Sequence, residues 1–207
     1  MRKQADQLPR LFVVGDSISL HYGPHLKQML SGVLICASWP GDDGAPIGGN
    51  GGDSFAALKA LADAANGGFQ PEWVLVNCGL HDIKTNPATG EKQVPLEQYR
   101  RNLREIVACA EQMSRVVWVR TTPLDDMRHN SQVSEFHRFA ADVDAYNAAA
   151  DAIMNESSVP SVDLYGFTRS LGPEVFCDHV HFTEPVRQMQ AAFIAGYLSR
   201  VLSDPIS

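Results

Sequence analysis

Gly-Asp-Ser occurs twice in this chain, at 15–17 and at 52–54. Either serine could be a nucleophile, but the flanking residues differ. Ser17 ends the apolar run Leu11–Val14 and opens a helical pattern, so its Oγ can face outward at the end of a strand. Its own N–H, near a helix N-terminus, is placed to stabilise a developing oxyanion. Ser54 has no strand before it. It follows a glycine-rich stretch and starts a helix, which suits an N-cap or first-turn residue, and Asp53 or Ser54 is expected to cap that helix. Taken alone, the tripeptide at 15–17 describes a capping serine better than a nucleophile.

A nucleophilic serine needs a base, and the base needs a carboxylate to orient it. The stretch Cys177-Asp178-His179-Val180-His181 offers both. In a turn, the three-residue spacing brings the Asp178 carboxylate onto one nitrogen of His181 and leaves the other for Ser17. The Gly-x-Ser-x-Gly elbow is absent because position 19 is serine. A different serine design is therefore expected.

The elements that must position these residues alternate. Apolar runs at RLFVV, GVLICASW, EWVLVNCG, RVVWVRTTP and VPSVDLYG read as strands, the last one short. Helical patterns follow at 19–31, with Gly23-Pro24 expected to interrupt the first turn, and at SFAALKALADAA, stopped by Asn66-Gly67-Gly68. The helix at 95–113 has Pro95 in its first turn and Leu96, Tyr99, Leu103, Ile106, Val107 and Ala110 on one face. Residues 133–155 read as mostly helix, 80–94 as a loop, and 184–203 as the closing helix. Apolar strands alternating with helices imply an α/β fold with a parallel sheet covered on both faces. No repeat or linker divides the 207 residues, so one domain is expected. In such folds ligands bind beyond the carboxyl ends of the strands, where the strand order reverses. Residues 15–17, 52–54, 79–82, 121–123 and 178–181 would then meet on one rim.

Composition narrows the partners. A net charge of −7 without a basic patch argues against nucleic acid or an anionic membrane. No run of about 18 apolar residues is present for a membrane span. The N-terminal stretch lacks an apolar run long enough for a signal peptide, so a cytoplasmic location is expected. Cys36, Cys78, Cys109 and Cys177 are not in Cys-x-x-Cys spacing and read as reduced, mostly buried thiols.

These blocks, in this order, resemble the SGNH (GDSL-like) hydrolase superfamily of esterases, lipases and acylhydrolases. The blocks are GDS at 15–17, Gly52 within GGDS, GLHD at 79–82 and DHVH at 178–181, and the likeness runs over roughly residues 11–200. The resemblance implies a three-layer α/β/α, flavodoxin-like sheet of about five parallel strands. It implies Ser17 as nucleophile, His181 as general base and Asp178 as its partner, with no metal or organic cofactor. Its oxyanion hole would be Ser17 N–H, Gly52 N–H and the side chain at 81. The second Gly-Asp-Ser then supplies Gly52, and Ser54 caps the helix behind it. The family's asparagine is His81 here; a neutral imidazole still donates one N–H, at a different reach.

Asp16, Asp82, Trp39 and His179 are candidate pocket residues, Asp82 serving also to hold its loop. His21, His25, His129 and His137 read as solvated or packing histidines. Arg120, Lys84 and Arg128 read chiefly as structural or solvated charge near the rim. A rival reading is a metal-dependent hydrolase using Asp178, His179, His181 and His81. Against it, the first block lacks Gly-Asp-x-His, because position 18 is Ile. A catalytically inactive binding module is a second rival. Acyl transfer, a lysophospholipase and a thioesterase would use the same triad. Compact polar loops disfavour long-chain triglycerides. The expected substrate is a short-acyl ester on a small molecule or carbohydrate, with O-acetyl groups suggested by the resemblance.

Overall fold

The computed structural model describes residues 8–41, 46–49 and 51–203. Five strands form one parallel sheet: β1 (Arg10–Val14), β2 (Ile35–Ala37), β3 (Trp73–Val76), β4 (Arg115–Val119) and β5 (Ser161–Val162), in the order β2-β1-β3-β4-β5. In β1, Leu11, Phe12, Val13 and Val14 are all buried, without alternation. That pattern follows from cover on both faces.

The cover is helical. On one side α1 (Ser17–Met29) packs on α7 (Glu184–Ser203), which also contacts α6 (Leu164–Ser170). On the other, α2 (Ser54–Asn66) packs on α3 (Leu96–Glu111), and α3 on α5 (Ala140–Glu156). The three layers are those expected of a flavodoxin-like fold. The strand order reverses between β1 and β3, so the segments after these strands flank the crevice at the switch point.

Several local expectations are corrected. Helix α1 begins two residues earlier than its pattern indicated and runs through Pro24. A proline inside a helix costs about 3 kcal/mol. Burying each of Ile18, Tyr22 and Leu26 on the core returns about 1.5–3 kcal/mol, which outweighs it. Pro95 is the N-cap of α3 and not a first-turn residue. The face of α3 that meets the core also includes Asn102.

Residues 133–155 are mostly helix, as expected, but the helix starts only at Ala140. A short helix α4 (Asp126–Gln132) comes first, then an extended stretch, then α5 from Ala140. The stretch is extended because His137 pairs with Thr85: each backbone N–H donates to the other's carbonyl at 2.8 Å. Helix α6 begins within the stretch VPSVDLYG that reads as a strand, and the Asp163 carboxylate caps it by accepting from Gly166 N–H at 2.9 Å. No helix among the described residues is long and apolar enough to cross a membrane. The four cysteines are free; Cys36 and Cys78 are buried, Cys109 is half-buried and Cys177 is exposed.

Candidate active site

Ser17 is the first residue of α1, directly beyond the end of β1. The Asp16 carboxylate caps the helix, its Oδ1 accepting from Ile18 N–H at 2.9 Å. That leaves the Ser17 N–H, one of the free donors of the first turn, with no acceptor among the described residues. Ser17 Oγ lies 2.8 Å from His181 Nε2. His181 Nδ1 lies 2.7 Å from Asp178 Oδ2. The carboxylate can only accept, so Nδ1 carries the proton and Nε2 offers its lone pair to the serine hydroxyl.

The loop carrying Asp178 and His181 is closed on itself. Asp178 Oδ1 accepts from Val180 N–H at 2.8 Å and from His181 N–H at 2.7 Å. Cys177 N–H donates to His181 O at 2.8 Å, and Phe176 stacks on Phe182 with ring centroids 5.1 Å apart. Partial burial would raise the Asp178 pKa, but the two backbone donors and the His181 imidazole outweigh it. The carboxyl is held well below its ordinary range. The His21 ring packs against His181, centroids 4.6 Å apart.

The second edge of the site is backbone. Gly51 N–H donates to Gly15 O at 2.9 Å, and a Cβ on Gly51 would sit 3.2 Å from that oxygen. This contact holds the loop before α2 against the turn that carries Ser17. The next residue, Gly52, has an N–H without an acceptor among the described residues. Its neighbour in space would be Ala56 Cβ, 3.6 Å from an added Cβ.

The third edge is the turn after β3. Gly79 sits at φ 141°, and an added Cβ would come within 2.6 Å of Thr121 Oγ1, so glycine is required there. Tyr99 Oη and Thr121 Oγ1 each donate to Cys78 O at 3.0 Å, fixing the chain just before this turn. His81 is half-buried and has no side-chain hydrogen bond among the described residues. Burial, with Lys84 and Arg138 nearby, lowers its pKa to about 4. It is neutral at pH 7 and has one N–H to donate. Ser17, Gly52 and His81 therefore each bring a donor that has no acceptor among the described residues. Such donors can stabilise charge on a substrate oxygen.

Other candidate residues sit elsewhere. Ser54 does not cap α2; Asp53 does, accepting from Ala56 N–H at 2.9 Å. Ser54 is fully buried, its Oγ donating to Asp82 and accepting from Asn102 Nδ2 at 2.8 Å. Asp82 is not a pocket residue. It is fully buried, and desolvation raises its pKa to about 6 despite the Ser54 hydrogen bonds. Trp39 is not a rim wall: its indole stacks on Phe69, centroids 5.4 Å apart, and seats over Gly67 at the end of α2.

Asp16 is buried and faces inward. With Asn77, Leu80 and Thr121 it lines an enclosed cavity of about 10 Å³, room for about one water. His179 Nδ1 meets His129 Nδ1 at 2.9 Å. His129 is fully buried and His21 packs on His181, so both are packing histidines. Arg120 pairs with Asp151 at 3.1 Å and with Asp163 at 2.5 Å, a structural role. Asn102 and Arg138 were not singled out in the sequence. Among the described residues, no group of three His, Cys, Asp or Glu side chains is arranged to hold a metal ion.

Solved structures of similar shape are distant in sequence. A lipase/acylhydrolase from Enterococcus faecalis has 17% identity and a TM-score of 0.71, covering 97% of this chain and 100% of its own. The C-terminal catalytic domain of peptidoglycan O-acetyltransferase A from Streptococcus pneumoniae has 18% identity and a TM-score of 0.66, with 97% and 98% covered. A catalytic mutant of an acetylxylan esterase from Geobacillus stearothermophilus has 19% identity and a TM-score of 0.64, with 95% of each chain covered. No curated protein matches the chain in sequence. The family match is direct and spans residues 13–188, from within β1 into α7. On that match, the chain belongs to the GDSL-like lipase/acylhydrolase family.

Proposed function

We propose that this protein is a serine ester hydrolase that cleaves short-acyl esters, O-acetyl groups on carbohydrate among them, through an acyl-enzyme on Ser17. The carrying observation is the hydrogen-bonded chain Ser17–His181–Asp178 at the switch point of the sheet. Ser17 Oγ attacks the ester carbonyl carbon as its proton passes to His181 Nε2. Asp178 holds the imidazole in the right tautomer and stabilises the imidazolium that forms. The carbonyl oxygen takes negative charge between Ser17 N–H, Gly52 N–H and the His81 N–H. The C–O bond breaks and His181 returns its proton to the leaving alcohol. Water then attacks the acyl-serine by the same route, giving the carboxylic acid and free Ser17.

The likeness to solved structures supports a small acyl group. Two of the similar structures are an acetylxylan esterase and a peptidoglycan O-acetyltransferase. Transfer of the acyl group to a sugar hydroxyl in place of water would use the same residues. The metal reading is disfavoured by geometry: His181 is taken up by Ser17 and Asp178, and His179 by His129.

The test is a panel of p-nitrophenyl esters from acetate to octanoate, with acetylated xylooligosaccharides, assayed with and without a chelator. The acetate ester is expected to turn over unaffected by chelator, and Ser17→Ala to lower kcat by at least about 10³-fold. Chelator-sensitive turnover, or full activity in Ser17→Ala, would overturn the reading.

A further inference from the structure

We propose that His129 and Arg138 are positioning residues for this reaction, forming a hydrogen-bonded brace across the rim. The brace joins the loop of the acid–base pair to the turn that carries His81. The inference rests on the ester-hydrolase reading above and assigns roles to two residues outside the four blocks.

The brace is continuous. At one end is His179, between Asp178 and His181 in sequence. Its Nδ1 meets His129 Nδ1 at 2.9 Å, so one ring donates and the other accepts. His129 is fully buried on α4. The next residue, Asn130, clasps the backbone of Arg138 with both amide atoms. Asn130 Oδ1 accepts from Arg138 N–H at 2.9 Å, and Asn130 Nδ2 donates to Arg138 O at 3.0 Å. Arg138 is itself 4% exposed and runs inward, its Nε donating to Leu80 O at 2.7 Å. Leu80 immediately precedes His81. The Phe136 ring fills the angle, 5.5 Å from the His129 ring and 4.9 Å from the Arg138 guanidinium carbon.

Each contact is one a packing role does not need. A fully buried residue used only as filler would be cheaper as leucine, since an imidazole brings polar atoms that must be satisfied. His129 satisfies one of them on the loop of the candidate base, and its Nε2 has no partner. A buried guanidinium is costlier still. Arg138 spends its Nε on the carbonyl beside His81, and its charge acts on Asp16, the cap beneath Ser17. Base loop and donor turn are therefore joined by one chain of contacts. A misplacement of about 1 Å in such a site costs about 10²-fold in rate.

The test compares kcat, KM and the rate of Ser17 labelling by a fluorophosphonate. The proteins are wild type, His129→Leu, His129→Asn, His179→Ala, the double variant His129→Leu/His179→Ala, and Arg138→Met. Rates are taken per mole of folded protein, from thermal melts. His129→Leu and Arg138→Met are expected to lower kcat about 10- to 100-fold with KM within about 3-fold. Labelling should slow in parallel. His129→Asn, whose amide can replace the Nδ1 contact, should recover most of the loss. The double variant should be no worse than the worse single, because both act through one bond.

Unchanged kcat and labelling in the folded single variants, or independent multiplying losses in the double variant, would overturn the brace while leaving the hydrolase reading intact. Wild-type protein without turnover or label would overturn both. His179 is on a half-exposed loop, so His179→Ala decides the first arm even if His129→Leu does not fold.

Discussion

Ser54 and Asp82 are bonded inside the core, 28 residues apart in sequence: Ser54 N–H and Oγ both reach the Asp82 carboxylate, the N–H at 3.0 Å to Oδ1. This explains how one tripeptide serves two purposes in one chain. The first copy leaves its serine half-buried at the rim; the second buries its serine to fix the loop that follows β3 against α2. Ser54→Ala strips a donor from Asp82 and an acceptor from Asn102, and an unmade buried hydrogen bond costs about 1–3 kcal/mol. Thermal melts should show Tm lowered by about 3–9 °C, with kcat per folded molecule unchanged. A Ser54→Ala protein that melts normally but has lost turnover would reverse the roles given to the two serines.

His81 should be separable from the triad kinetically. Its N–H, like those of Ser17 and Gly52, has no acceptor among the described residues, and one oxyanion donor is worth about 10²–10³ in rate. Steady-state assays should find kcat lowered by that factor in His81→Ala, with KM little changed. His81→Asn, which restores an amide donor, should retain more activity than the alanine variant. A loss of less than a few-fold in His81→Ala would remove His81 from the oxyanion role.

Acid stability is set by groups that pull in opposite directions. His129 has its pKa lowered to about 4, chiefly by burial, helped by Arg138 and the neighbouring His179. The unfolded chain takes up that proton near 6.5, so this term removes stability as pH falls from 6.5 toward 4. Asp82 is raised to about 6 from an ordinary 3.8, so the folded state gains a proton first and this term adds stability over nearly the same window. At about 1.4 kcal/mol per pH unit, each is worth about 2–3 kcal/mol by pH 4.5, and they nearly cancel. His81, also lowered to about 4, tips the balance toward loss. Denaturant melts at pH 7 and 4.5 should show a modest drop for wild type and a drop steeper by about 2 kcal/mol for Asp82→Asn. An Asp82→Asn protein whose acid loss matches wild type would contradict the burial argument for that carboxyl.

What could be read from the sequence was local. Leu11–Val14 is apolar without alternation, so it reads as a strand covered on both sides, and it is one. Asp178 and His181 are three apart, so a single turn brings them together. Contacts made across the chain were not legible. Ser54 looked like a cap because its partners, Asp82 and Asn102, belong to other elements. The helix starts only at Ala140 because His137, just before it, pairs with Thr85 from another part of the chain. Trp39, next to a strand end, fits a pocket wall and a packing residue equally well until Phe69 is placed under it. His129 and Arg138 carried no motif; only folding brings them to His179 and Leu80.

Whether Ser17 is an activated nucleophile is read by treating the folded protein with a fluorophosphonate and mapping the adduct by mass spectrometry. A single phosphonyl group on the peptide containing Ser17 is expected, formed as Oγ attacks phosphorus and fluoride leaves. An adduct on Ser54 or another residue, or folded protein that takes no label, would contradict the account.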